Sequence, residues 1–100
     1  MAEIYQGDIL QIEGVNIPVY VVSKKFFNSS NAVIGCPIVK EAESSATHIS
    51  VNIDKLYGTV LCEQIRFFDI KTRGYKYIGS SDLNTMTEIV DTVQGFFDFT

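Results

Sequence analysis

GTVLCEQIRFFDIK, residues 58–71, is the stretch around which the rest of the chain is organised. Val60, Leu61, Ile65, Phe67 and Phe68 are β-forming side chains, and Glu63, Gln64 and Arg66 place three polar groups within four residues. Read as one extended strand, successive side chains alternate, so Leu61, Glu63 and Ile65 share one face and Cys62, Gln64 and Arg66 the other. Neither face is purely apolar. A buried carboxylate without a partner is costly, so the polar groups either reach solvent near a strand end or line a groove. One strand is expected to carry both core and site.

Working outward, residues 47–53, THISVNI, alternate Ile49, Val51 and Ile53 against His48, Ser50 and Asn52, the signature of a half-buried strand. Residues 54–58 return the chain to the organising strand. Before them, residues 40–46, KEAESSA, form a polar connection, and residues 32–39, AVIGCPIV, form an apolar strand that Gly35 and Pro37 bend. Residues 24–31, KKFFNSSN, read as an exposed loop pinned to the core by Phe26 or Phe27. Residues 7–13, GDILQIE, and 17–23, IPVYVVS, make a first hairpin, and residues 74–79, GYKYIG, a short last strand.

From Ser81 the period changes. Leu83, Met86, Ile89, Val90, Val93, Phe96 and Phe97 recur at three or four residues, one face of a helix, with Ser80 or Ser81 as cap and Asp82 favouring its start. The expected fold is mostly β (α+β): five to six short strands curling into a small barrel, covered by a C-terminal helix.

A chain of 100 residues that is 46% hydrophobic supplies one modest core, and a single domain over residues 1–100 is expected. Eight basic against twelve acidic residues give a formal charge of −4, which opposes nonspecific attraction to a polyanion. Nucleic-acid binding therefore requires the cations to gather on one face; among them are Lys24, Lys25, Lys40, Arg66, Lys71, Arg73 and Lys76. Cys36 and Cys62 lie in apolar runs and read as core thiols, too few and too far apart in sequence for a zinc site. Met1 leads into a polar stretch, and no apolar run approaches the roughly 20 residues that cross a bilayer. The cytoplasm is the expected compartment, with no membrane role.

Taken in order, GDI, the P-x-x-V-V-S strand, Asn28, I-x-C-P-I, T-H-I, V-L-C-E-Q-I-R followed by Asp69, and I-G-x-x-D before a helix resemble the MazF/PemK toxins of bacterial type II toxin-antitoxin modules, part of the CcdB superfamily, over residues 7–97. The resemblance implies an SH3-like barrel with a C-terminal helix, a homodimer, an antitoxin whose tail covers the dimer groove, and cleavage of single-stranded mRNA without metal or cofactor. It places Glu63 and Arg66 as catalytic candidates, and Lys24, Lys25, Asn28, Lys40, His48 and Gln64 as residues that contact RNA or antitoxin.

The departures from the family pattern bear directly on activity. An Arg before the Pro of the second strand and a Thr after C-P-I are expected to stabilise the transferring phosphate and activate the ribose hydroxyl; here they are Ile17 and Val39. In the PemK-like branch a His in the first loop and an Arg before the Cys join the acid; here the loop has no His, the Arg position is Leu61, and the acid remains as Glu63. Losing one electrostatic donor costs on the order of a hundredfold in rate, so weakened or lost cleavage is expected. Glu63 as a hydrogen-bond anchor for a neighbouring loop, and Arg66 as partner of Asp69 or Glu63, are the structural alternatives. Three functions stay open: an endoribonuclease with a displaced catalytic set, a dimeric binding or regulatory module without chemistry, and a CcdB-like poison of a protein target. The last has thin support, because the terminal residues lack W-G-I. The surplus aromatics Phe67, Phe68, Phe96, Phe97 and Phe99 are read as dimer surface.

Overall fold

The longest strand, Ala32–Val39, is apolar from end to end because both of its faces are covered. A computed structural model describes residues 3–53 and 56–97 of the chain, and in it this strand (β3) is the hub of the sheet. The other elements, in chain order, are β1 (Asp8–Ile12), β2 (Val19–Val21), a single-turn helix α1 (Lys25–Asn28), then, after β3, β4 (His48–Ile53), β5 (Leu56–Leu61), β6 (Arg66–Asp69), β7 (Tyr75–Ser80) and α2 (Leu83–Gly95). All pairings are antiparallel, in the order β4-β5-β3-β2-β1-β7, with β6 also on β3. The mostly-β, curled sheet with a C-terminal helix is the architecture expected from the sequence.

The curl divides the interior in two. Ile9, Tyr20, Cys36, Ile38, Ile49, Val51, Val60 and Cys62 pack beneath Ile89 and Val93 of α2, while Ile4, Leu10, Ile12, Val19, Val21, Val33, Phe68 and Ile70 fill the opposite side. Alternate residues of β1, β2 and β3 feed alternate cores, which explains why these segments read as unbroken apolar runs. Gly35 is required where β2 crosses closely: a Cβ there would sit 2.4 Å from Val19 Cγ1 and 2.8 Å from the Tyr20 carbonyl oxygen. Both cysteines are buried free thiols, and burial raises Cys36 to about 12 and Cys62 to about 11, so neither supplies a thiolate at neutral pH.

Four expectations are corrected. Residues 58–71 are not one regular strand. From the Ile38–Val60 pair to the Gly35–Arg66 pair, β3 steps back three residues while the facing chain advances six, so three residues are looped out in the turn after Leu61. The Gln64 N–H donates to the Leu61 carbonyl at 3.1 Å to close that turn. Cys62 and Ile65, expected on opposite faces, consequently pack against the same core.

Residues 24–31, expected to be a loop, contain the single-turn helix α1 at Lys25–Asn28, and its pin is Asn28, not Phe26. The Asn28 amide donates to the carbonyls of Ile4 (2.9 Å) and Ser23 (3.0 Å) and accepts the Ser23 hydroxyl, whereas Phe26 is 91% exposed. Phe27 makes an edge contact with Phe67, centroids 6.3 Å apart. The cap of α2 is Asp82, whose carboxylate accepts the Thr85 N–H at 2.8 Å; Ser80 donates to Asp8, and Ser81 is bonded to the Tyr20 hydroxyl. Phe68, read as surface, belongs to the second core because it faces Val33 across the β3–β6 pair. Residues 54–55, expected to return the chain to the organising strand, and the aromatic ending at 98–100 lie outside the described residues. No described helix is long and apolar enough to cross a membrane.

Candidate functional site

Cross-strand partners in an antiparallel pair project from the same face. Val39 pairs with Thr59, Thr59 with Ser50, and the next step along β4 and β5 pairs Leu61 with His48. These side chains lie on the face opposite Ile38, Val60 and Ile49, which enter the core beneath α2. On β3 the same face continues through Pro37, paired with Val19, to Gly35, paired with Arg66. One side of the curled sheet therefore carries His48, Ser50, Thr59, Val39 and Arg66.

At one end of this face the hairpin register sets His48 beside the looped-out turn. The Glu63 carboxylate accepts the Thr47 hydroxyl through Oε1 at 2.8 Å and faces His48 Nε2 through Oε2 at 3.3 Å. His48 Nδ1 lies 2.6 Å from the Glu43 carbonyl oxygen. A carbonyl only accepts, so Nδ1 carries a proton; an ionised carboxylate only accepts, so the doubly protonated ring satisfies both contacts. The pKa directions agree. The Glu43 carbonyl and then Glu63 raise His48 above its ordinary value, against some burial. Partial burial opposes the charge on Glu63, but its own backbone N–H, the Thr47 hydroxyl and the His48 ring outweigh that and leave its carboxyl below the ordinary value. Both ring nitrogens and both carboxylate oxygens are thus committed to a clamp that ties the β3–β4 connection to the turn after β5.

At the other end, Ile17 lies in an open cleft with Gly14, Asn16, Arg66, Phe67, Asp69 and Arg73. Arg66 is exposed, and it is not brought into an ion pair with Glu63 or Asp69; the Asp69 carboxylate instead accepts the Lys71 N–H at 2.9 Å. Gln64 is exposed on the looped-out turn, and Lys40 is exposed one residue beyond Val39.

Lys24 precedes α1 without a side-chain cap bond. Lys25 pairs with Glu3 at 3.2 Å, and its ammonium lies 5.4 Å from the centre of the Tyr5 ring. Lys25 and Asn28 line a different cleft, with Ile4, Asn31 and Lys71, and Asn28 is buried. The structure therefore brings His48 to Glu63, places Arg66 beside Ile17, and leaves Lys25 and Asn28 elsewhere. Among the described residues no three His, Cys, Asp or Glu side chains gather to hold a metal ion.

Sequence reading did not single out Thr59 or Ser50 as site residues, and it named Arg73 only among the available cations. The first two become visible only when the β3–β5–β4 register is known, since nothing local marks them as neighbours of position 39.

Comparison with curated protein sequences gives no match. Among solved structures the fold is that of MazF in a MazE-MazF complex from Deinococcus radiodurans, with TM-score 0.87, 15% identity, and coverage of 97% of this chain and 98% of that one. An endoribonuclease from a mycobacterial species aligns with TM-score 0.82 and 19% identity over 97% of this chain and 93% of that one. A mycobacterial endoribonuclease in complex with its cognate antitoxin aligns with TM-score 0.79 and 19% identity over 97% and 99%. At such identities these likenesses speak for the fold. The sequence profile described as PemK-like, MazF-like toxin of type II toxin-antitoxin system matches residues 4–97, and with the curled sheet and terminal helix in place the chain belongs to that family.

Proposed function

We propose that this chain is a single cytoplasmic toxin domain that works as a homodimer, is held by the tail of an antitoxin, and cuts single-stranded RNA slowly and without a metal. The observation that carries the reading is the shared face on which Arg66, Val39, Thr59, Ser50 and His48 lie, with Ile17 in the cleft beside Arg66. In the cleavage, the ribose 2′-oxygen gives up its proton and attacks the adjacent phosphorus. The 5′-oxygen leaves and takes a proton, so the products are a 2′,3′-cyclic phosphate and a 5′-hydroxyl. Glu63, at one end of the face, is the carboxylate available as base, and Arg66, at the other end, is the cation that holds a neighbouring phosphate of the strand. Lys40 and Gln64 flank the same surface, Lys24 and Lys25 are cations for the antitoxin tail, and Asn28 acts by holding α1.

Two features make the reaction slow. Ile17 and Val39 offer no donor to the phosphorane oxygens, and each missing donor costs about a hundredfold or more. Glu63 must also loosen its bonds to Thr47 and His48 before it can accept a proton. Purified protein incubated with single-stranded RNA in a metal chelator is expected to give sparse fragments with cyclic phosphate ends, and Glu63→Gln to remove them. Ile17→Arg combined with Val39→Thr is expected to raise the rate by about a hundredfold or more. If neither protein yields fragments, cleavage is rejected. The second reading then stands, favoured by the same closed clamp: a toxin-fold module that binds RNA or antitoxin without chemistry.

A further inference from the structure

The chain contains two arginines, Arg66 and Arg73, and both line the cleft that holds Ile17. Arg66 enters from β6. Arg73 enters from the connection to β7, and its guanidinium lies over the β1–β2 turn, with Nη1 3.8 Å from where a Cβ on Gly14 would be. Gly14 itself has φ +86°, a conformation that side chains rarely adopt, so the turn keeps that space open. Among the described residues neither guanidinium forms an ion pair. The one carboxylate in the cleft, Asp69, is turned to the Lys71 N–H.

We propose that Arg66 and Arg73 act together as the phosphate-binding pair of this cleft, gripping the backbone of single-stranded RNA and supplying the positive charge that Ile17 does not. The assignment rests on the RNA reading above and goes beyond it by naming Arg73 and the place of the grip. Several observations favour a phosphate backbone. In a chain of formal charge −4, two planar forks that match phosphate in bidentate fashion line one cleft. Phe67, also in the cleft, is 65% exposed and offers a ring on which a neighbouring base stacks. Asn16 adds an uncharged donor at the rim. Arg73 is a positioning residue in this account: it holds the strand so that the next phosphate reaches the face carrying Val39 and Thr59.

The test uses a short fluorescent single strand of mixed sequence with 2′-O-methyl riboses, which cannot be cleaved, so a fast and a silent enzyme read alike. Binding to the full chain is followed by anisotropy over a range of salt. Arg66→Ala and Arg73→Ala are each expected to weaken binding about tenfold, and each to flatten the dependence of log affinity on log salt by about 0.7 for every phosphate it no longer neutralises. Arg66→Lys and Arg73→Lys are expected to keep the salt dependence and lose part of the affinity, because the charge stays and the fork goes. Lys76→Ala, in a separate cleft, should bind like the parent. Arginine variants that melt normally and bind the strand like the parent overturn the proposal. It is also overturned if those variants lose only a glutamate-rich peptide and keep the strand, which would make the cleft a peptide site. A parent chain that binds no strand overturns the RNA reading itself, and this proposal with it.

Discussion

His48 makes the clearest case at the scale of single residues. Its ring bridges an acceptor on the β3–β4 connection and a carboxylate on the turn after β5, and the two contacts together require the imidazolium. The groups that face it, Glu43 and Glu63, are acidic, and its pKa is raised above 6.5. A raised pKa in the folded state means that the clamp contributes fully below pH 6.5 and is lost as pH rises through the raised value. Glu63 acts in the other direction: lowered from 4.5, it contributes above that pH and fails as pH falls through the lowered value. The two windows overlap in mildly acid solution. The thermal midpoint of the parent should therefore exceed that of His48→Gln by the largest margin near pH 6 and by the smallest near pH 9, both values being approximate. An equal margin at both would show that the ring acts through shape alone. Asn28 is the second case. Its amide satisfies the Ile4 and Ser23 carbonyls in a site only 5% exposed, so Asn28→Ala leaves buried acceptors unpaired. The expected loss is about 2 kcal/mol in urea unfolding.

At the scale of elements, the end of β7 and the start of α2 show why local chemistry leaves a boundary ambiguous. Ser80, Ser81 and Asp82 are all good caps, and the choice falls to Asp82 because Ser80 and Ser81 are drawn to Asp8 and Tyr20, residues distant in sequence. Asp82→Ala should lower the thermal midpoint by about 4–8 °C, a loss that Asp82→Asn largely avoids and that calorimetry would resolve. The same division runs through the sheet. Alternation and apolar runs made the strands and the terminal helix legible, because burial acts on each residue where it stands. The three-residue excess between β5 and β6 was not legible, since β3 alone fixes both registers and a single sequence does not say which partner strand is counting. That excess decides the site. It turns Glu63 out toward His48 and separates it from Arg66, two residues that sequence proximity had joined. Thr59 and Ser50 stayed hidden for the same reason: their place beside Val39 is a fact of register.

At the scale of the whole molecule, the apolar pattern of α2 extends past the core that one chain provides. Ile89 and Val93 are buried, while Leu83 is 70% exposed at one end of the helix and Phe97 is 74% exposed just beyond the other. Phe96, 42% exposed, stands beside Phe97 at that end. Among the described residues, seven strands and one long helix leave β4 and β7 as the ends of an open path, so closure of the sheet does not cover the exposed hydrophobics. A second copy of the chain, as proposed, covers them. The protein should then sediment at about twice its 11.2 kDa. Phe97→Lys should move it toward the single-chain mass, because a charge placed in an apolar contact must be desolvated without a partner. Phe26→Lys is the control: that ring is 91% exposed but stands on α1, away from the helix. A parent protein that sediments as a single chain at high concentration would reject the dimer. If Phe26→Lys rather than Phe97→Lys dissociates it, the contact lies on the α1 side.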